Sequence, residues 1–573
     1  MNKILLILMP IVLLTANIVI ASNNSKNNLP ISLEEVTIES IHNAIKNHQI
    51  SCEELVNNYL ERIKLYNLSI SKHAPINAFT EININVMDQA RKLDDAYSNT
   101  QRLTGSLHCI PVILKDNIDS YDSTSTSGTL ALLGNQPNQD AFLVEKLREA
   151  GAIILGKGGM DELASGMFGI NSRSGRIGNA YNPDKNPGGS SGGPAAAVSA
   201  NFTMIGIGSD NSGSIRIPAA FNGIYGLRPS TGLISQRGIF PAGNLDGSAG
   251  PLARNVEDLA RMLDVIAKED QHDKKTLNIP RVLTYTAYLN KNGLKSKRIG
   301  IVRSVGNINT YKSMPKDITQ IFKQSLQAMK NSGAIIVDNI TLPEFNNNRD
   351  SNMAGMRQDI DAYLTSYPAV RKNYQDLCES NRTRAYGNMK KCLKFFESMP
   401  IKFGKKYKDA LNIFNKNKIY VENIMKQNHL NALLVPISTT GTATYDPYKV
   451  NTWQAPISSN AGLPAITINL GYTDSDKMPI GAELIGKQYS EGILIEIAYA
   501  YEKNSQPRII PTMPEQNFVL EKLGIPEYNN LLTTIGYKSY YEVLIKHKSD
   551  QSWKDLQPMI FKDIVYREIN EIH

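Results

Sequence analysis

Residues 187–200 read PGGSSGGPAAAVSA, and residues 206–218 read GIGSDNSGSIRIP. Ser190 and Ser191 sit among Gly188, Gly189, Gly192 and Gly193, a density of glycine and serine usual in flexible linkers. Here the pattern occurs twice and lies against apolar segments both times. A folded chain has two reasons to place such loops there: close backbone packing, which glycine permits, or chemistry by the serines.

Outward from these loops the chain alternates short apolar runs with helical stretches. CIPVILKDNI (109–118) is a brief apolar run ending in charge, as expected of a buried strand that emerges into a site. AFLVEKLREAGAIILGKGGMDELA (141–164) reads as helix, glycine turn, strand and loop. RIGIVRS (298–304) and ALLVPIS (432–438) are further strands, separated by helical stretches such as ITQIFKQSLQAMKNSGAIIV (318–337). Ser51 is an N-cap with Glu54 completing a capping box, ahead of a helical face of Leu55, Val56, Tyr59, Leu60 and Ile63. The pattern is α/β. With 573 residues, 41% apolar and 20% charged, the chain has globular composition. Its net charge of +8 is spread thinly and forms no basic stripe, so nucleic acid is not indicated as a partner.

Several familiar chemistries fit the two loops poorly. GGSSG satisfies G-x-S-x-G, but a nucleophile elbow needs an acid and then a histidine downstream. His272, His429, His547 and His573 follow Ser190, all in surroundings that read as solvated helices or loops. SISK (69–72) with SDN (209–211) copies two of three penicillin-binding signatures, but a K-T-G strand is missing and SISK lies in a loop-like stretch. A phosphate cradle of the G-x-x-x-x-G-K-[ST] kind is absent. What remains is a serine activated by lysine, whose neutral form burial favours. Lys115 ends the run CIPVILK. It either snorkels from a strand end or reaches into a site.

CIPVILKDNI, PGGSSGGPAAAVSA and GIGSDNSGSIRIPAAFNGIYGLRPSTG (206–232) together resemble the amidase signature family. The resemblance runs from about residue 32 to 501 and takes in ELVNNYLERI, GMDELASG, AGPLARNVEDLA, NAGLPAITINLGY and PIGAELIGKQYSEGILIEIAYAYE. It implies a single large α/β domain, placed at residues 30–512, with a mixed β-sheet sandwiched by helices. It implies a Ser–cis-Ser–Lys amidohydrolase in which Ser214 is the nucleophile, Ser190 the bridging residue and Lys115 the base. These lie 75 and 24 residues apart, as the family pattern requires. Neutral Lys115 would take a proton from Ser190, which takes one from Ser214 as it attacks the amide carbonyl. Backbone N–H groups of Asn211, Ser212, Gly213 and Ser214 would face the oxyanion, each such donor being worth ~3 kcal/mol. Water then hydrolyses the acyl-enzyme. The resemblance further implies a cis peptide bond before Ser190 and supporting places for Ser191 and Arg216, which otherwise read as a loop cap and an ordinary surface ion pair. No cofactor and no metal are implied.

Two departures stand out. The family commonly has glycine where this chain has Ser212, and residues 513–573, read as a helical extension rich in aromatics, have no counterpart in the family core. Function then divides three ways. The first is an exported hydrolase of a peptide or small acyl amide, releasing ammonia or an amine. The second is the A subunit of a glutamyl-tRNA amidotransferase, which works in the cytosol. The third is a fatty acid amide hydrolase tethered through residues 4–21. The start of the chain, MNKILLILMPIVLLTANIVIA, argues for export: Lys3, an apolar run and small residues at Val19 and Ala21 suit cleavage before Ser22, with 1–21 as a signal peptide. An uncleaved anchor is the alternative, weakened by Pro10, Thr15 and Asn17; only then would the protein contact a membrane. Cys52, Cys109, Cys378 and Cys392 show no CxxC pair or Cys/His cluster, so no zinc site is expected. Cys378 and Cys392 are either bonded or free thiols.

Overall fold

The computed structural model describes residues 32–68, 75–242, 245, 247–306, 308–309, 311, 314–344, 353–385, 387–438, 456–505 and 508–513. The expected signal peptide, the SISK stretch and, beyond Met513, the expected helical extension lie outside these residues. In chain order the strands are β1 (Phe79–Ile82), β2 (Pro111–Lys115), β3 (Ile153–Gly158), β4 (Ile170–Asn171), β5 (Gly175–Arg176), β6 (Ile205–Asp210) and β7 (Tyr225–Arg228). Then follow β8 (Ser248–Ala253), β9 (Arg298–Val305), β10 (Ile308–Asn309), β11 (Ile335–Leu342), β12 (Ala432–Pro436), β13 (Ala465–Tyr472) and β14 (Pro479–Ile485). β4 and β5 pair with each other; the rest form one 12-stranded sheet in the order β1-β3-β2-β6-β8-β7-β13-β14-β12-β9-β10, with β11 also on β9.

The sheet is mixed, as the resemblance implies. β2 runs parallel to β3 and to β6, and β9 runs parallel to β11 and β12. Parallel neighbours need crossovers. The helix Phe142–Glu149 supplies one between β2 and β3, and the helix Gly192–Ser199 lies between β3 and β6. β2, β3, β6, β8, β12 and β14 are buried along their whole length. That explains why β2 and β12 read as continuous apolar runs instead of alternating ones.

The glycine- and serine-rich block is the opposite of a linker. Every residue of the helix Gly192–Ser199 is buried, packed among β2, β3, β6 and β8. A Cβ on Gly193 would collide with the amide nitrogen of Gly159 and the carbonyl of Ala78, so only glycine lets this helix approach the sheet so closely.

The helix Cys52–Tyr66 begins with the expected capping box between Ser51 and Glu54. Of its expected apolar face Leu55, Val56, Tyr59 and Ile63 are buried, and Leu60 is half-buried at the edge. All four cysteines are paired. Cys378 bonds Cys392, joining the helices Tyr374–Glu379 and Met389–Glu397 inside a satellite core that also holds Met356, Ile360 and Phe396. Cys52 bonds Cys109, tying the start of the capped helix to the residue pair before β2. Among the described residues no helix is long and apolar enough to cross a membrane.

Candidate active site

β2 and β6 lie side by side with Leu114 level with Ile207, so Lys115 and the Ser209–Asp210 pair lie together at the carboxyl ends of the two strands. The carboxyl ends of adjacent parallel strands are where open α/β sheets bind ligands. Two loops meet there: one carries Ser190 and Ser191 into the helix Gly192–Ser199, and the other carries Ser214 toward the helix Arg216–Phe221. Lys115, Ser190 and Ser191 are 0% exposed while Ser214 is 9% exposed, so of the four only Ser214 meets solvent.

The peptide bond between Gly189 and Ser190 is cis, as the resemblance implies. Gly188 has φ +74°, and a Cβ there would fall 2.8 Å from the Pro218 Cα. Both facts require glycine.

Lys115 is not a snorkelling lysine. Its Nζ lies 2.7 Å from Ser190 Oγ, 2.9 Å from Ser209 Oγ and 3.1 Å from the Ser209 carbonyl oxygen. Burial pulls its pKa down to about 7, against the opposing pull of Asp210 and Asp161. A neutral amine has two hydrogens and one lone pair. If Ser209 accepts both hydrogens, the lone pair is left facing the Ser190 hydroxyl. In the sequence Ser209 stands out only as part of a chance SDN match. Its signal is position: it closes the apolar strand beside the one ending in Lys115.

The supporting residues hold the two loops together. Ser191 donates its N–H to the Ser214 carbonyl at 3.0 Å and its hydroxyl to the Ser209 carbonyl at 3.2 Å. Arg216 is fully buried, not a surface ion-pair residue. It donates to both carboxylate oxygens of Asp210 at 3.1 Å and to Glu483 across the sheet. Arg228 donates to the Asp210 carbonyl at 2.7 Å. Burial alone would push the Asp210 carboxyl up, but Arg216 and Arg228 outweigh it and hold the group well below the usual range. Asp161 accepts the N–H groups of Phe168, Gly169 and Ile170 and donates its own to the Ser190 carbonyl at 3.1 Å. Burial raises its pKa to about 6. Sequence reasoning missed both Asp161 and Glu483.

One expectation needs correction. The Gly213 amide, expected among the oxyanion donors, is taken by Asp210 Oδ1 at 2.8 Å, and the Ile215 amide by Asp210 Oδ2 at 3.0 Å. Asp210 uses these amides to fold the loop, so in this conformation Gly213 is not available to an oxyanion. The left-handed conformation falls on Gly213 (φ +114°) and not on Ser212. Ser212 is exposed, which is why a side chain is tolerated where the family commonly has glycine. The sequence also shows no Cys/His cluster, yet folding brings the ligand atoms of Cys52, His108 and Cys109 within 4.8 Å of one another. The two sulfurs are bonded to each other, and burial pulls the His108 pKa down to about 4.

Comparison with known proteins bears on the fold and the family. The Amidase family profile matches residues 54–495. A probable amidase of Arabidopsis thaliana is 30% identical over 498 residues, 82% of this chain and 90% of that protein. The A subunit of the glutamyl-tRNA(Gln) amidotransferase of Fusobacterium nucleatum is 32% identical over 494 residues, 82% of this chain and 97% of its own. The crystal structure of the peptide amidase of Stenotrophomonas maltophilia superposes with a TM-score of 0.77 at 29% identity, covering 85% of this chain and all of that one. A single α/β domain with a large mixed sheet and this family profile mark a hydrolase of amide C–N bonds. The chain belongs to the amidase signature family.

Proposed function

We propose that the protein is an exported amidase that cleaves a carboxamide through an acyl-enzyme on Ser214. The observation that carries the reading is the 2.7 Å contact between Lys115 Nζ and Ser190 Oγ at a site closed to solvent, one loop away from the accessible Ser214. As Ser214 Oγ bonds to the carbonyl carbon, its proton passes to Ser190 Oγ and the Ser190 proton to Lys115. The C–N bond then breaks, the relay returns a proton to the departing nitrogen, and ammonia or an amine leaves. Water attacks the ester carbonyl, gives up its proton along the same route and releases the carboxylic acid with Ser214 restored. The Asn211, Ser212 and Ser214 amides are the oxyanion donors in this scheme.

The substrate is a peptide C-terminal amide or another small acyl amide, a reading supported by the likeness to the Stenotrophomonas maltophilia peptide amidase. Export is supported by the pairing of all four cysteines in two bonds, which suits an oxidising compartment. It is supported too by the leader-like residues 1–21. The same observations weigh against a cytosolic amidotransferase component, despite the similarity of such proteins in sequence. A panel of primary amides assayed for ammonia release tests the reading. Turnover of peptide amides and small acyl amides, abolished in Ser214→Ala, is expected. Turnover restricted to glutamine with an acceptor and partner subunits would overturn it.

A further inference from the structure

Next to the relay is a small, partly open pocket lined by Asn117, Ser209, Asn211 and Gln236 together with Ile239, Phe240 and Pro241. No charged side chain is among the described residues that line it. Asn117 is 1% exposed. Its Nδ2 donates to Ser209 Oγ at 3.1 Å, so it stands one hydrogen bond beyond the Lys115 contact. Among the described residues its Oδ1 accepts no hydrogen bond. Its backbone is clamped as well: the Asn117 carbonyl accepts the Phe240 N–H at 2.8 Å, and the neighbouring Ile118 bridges Ile239. A buried amide oxygen without a donor is costly to leave unpaired, and the clamp fixes its residue in the wall of the pocket.

We infer that Asn117 Oδ1 is the acceptor for an N–H group on the acyl side of the substrate. The preferred substrates are then uncharged amides carrying such an N–H, as in an N-acylated amino acid amide with a small apolar side chain. The inference rests on the proposed amidase reading and adds the group that selects the acyl part. The leaving ammonia needs no pocket, so the apolar wall of Ile239, Phe240 and Pro241 serves the acyl arm. A zwitterionic amino acid would bring two charges to a wall that pairs neither, at a desolvation cost. A purely hydrocarbon acyl chain would leave Oδ1 without a partner. Sites built to hydrogen-bond a substrate group reject analogues lacking it far more strongly than apolar pockets reject a missing methylene.

The test compares N-acetyl-alaninamide with O-acetyl-lactamide, an isostere in which the acyl-side N–H is replaced by oxygen, on the full-length protein. Wild-type enzyme is expected to prefer the N–H substrate at least about tenfold in kcat/KM, carried mainly by KM. In Asn117→Ala the ratio should fall to within about threefold; losing the Nδ2 bond to Ser209 affects both substrates alike and cancels in the ratio. Equal wild-type rates on the two substrates would overturn the inference without any variant. So would a preference that survives in Asn117→Ala, or one directed at an acyl carbonyl, which would mean that Asn117 presents its Nδ2 to the pocket. Failure to cleave N-acetyl-alaninamide overturns it as well. Labelling of Ser214 by a fluorophosphonate then separates that failure from failure of the amidase reading, which would leave Ser214 unlabelled.

Discussion

A lysine with no exposed surface is stable in a protein only if it is neutral or closely paired. The nearest groups to Lys115 Nζ are two serine hydroxyls and a carbonyl, and its pKa of about 7 follows from burial. The proposed relay needs the neutral form. Below about pH 7 the amine is protonated and cannot accept the Ser190 proton, so kcat/KM should rise as pH passes upward through that value. Lys115→Ala should lower kcat/KM by about 10⁴-fold or more, and the double variant with Ser190→Ala should cost little beyond either single change, since a relay fails as a unit. Its acidic limb should vanish. A pH–rate profile of Lys115→Ala that keeps the parental limb would show that another group titrates. Lys115 was legible because a charge ends an apolar run. Ser209 was not, because a small hydroxyl at a strand end leaves no mark until the neighbouring strand is known. Asp210 and Glu483 were legible in principle: an acid inside an apolar strand demands a buried partner, and Arg216 is that partner for both.

At the scale of elements, the nucleophile loop owes its shape to Asp210, which accepts two loop amides and an arginine fork at once. Removing one member of a fully buried ion pair typically costs about 3–5 kcal/mol. Asp210→Asn should therefore lower the melting temperature clearly and lower activity with it; unchanged melting would show that Arg216 finds its compensation in Glu483 alone. The Cys378–Cys392 bond closes a loop of 14 residues in sequence between two helices of the satellite core. A bridge over such a loop is worth about 3 kcal/mol. Replacing both cysteines with alanine should reduce stability in denaturant titration by about that amount while leaving kcat at 25 °C near the parental value. A large loss of kcat without loss of stability would mean that this region acts on the site directly. Four strands (β2, β3, β9 and β12) and the capped helix were readable because buried strands write short apolar runs and because capping is local. Sheet order was not, since pairing of β7 with β13 or β9 with β12 joins segments far apart in sequence. The Cys52–Cys109 pairing was hidden for the same reason.

At the scale of the whole molecule, the amidase fold spans the middle of the chain, and the proposed leader lies ahead of it. Protein recovered from outside the cytosol of its native host should begin at Ser22 or a near neighbour by N-terminal sequencing; a soluble cytosolic form that keeps Met1 would contradict export. The central claim is that two glycine loops meet at the carboxyl ends of two adjacent strands to make Ser214 a nucleophile driven by Lys115 through Ser190. Its most direct test is the intact mass of the protein after reaction with a slowly deacylated amide substrate, followed by peptide mapping. The account predicts one added acyl group, carried by Ser214, which disappears in Ser214→Ala and forms far more slowly in Lys115→Ala. An acyl group on any other residue, or full turnover by Ser214→Ala, would contradict it.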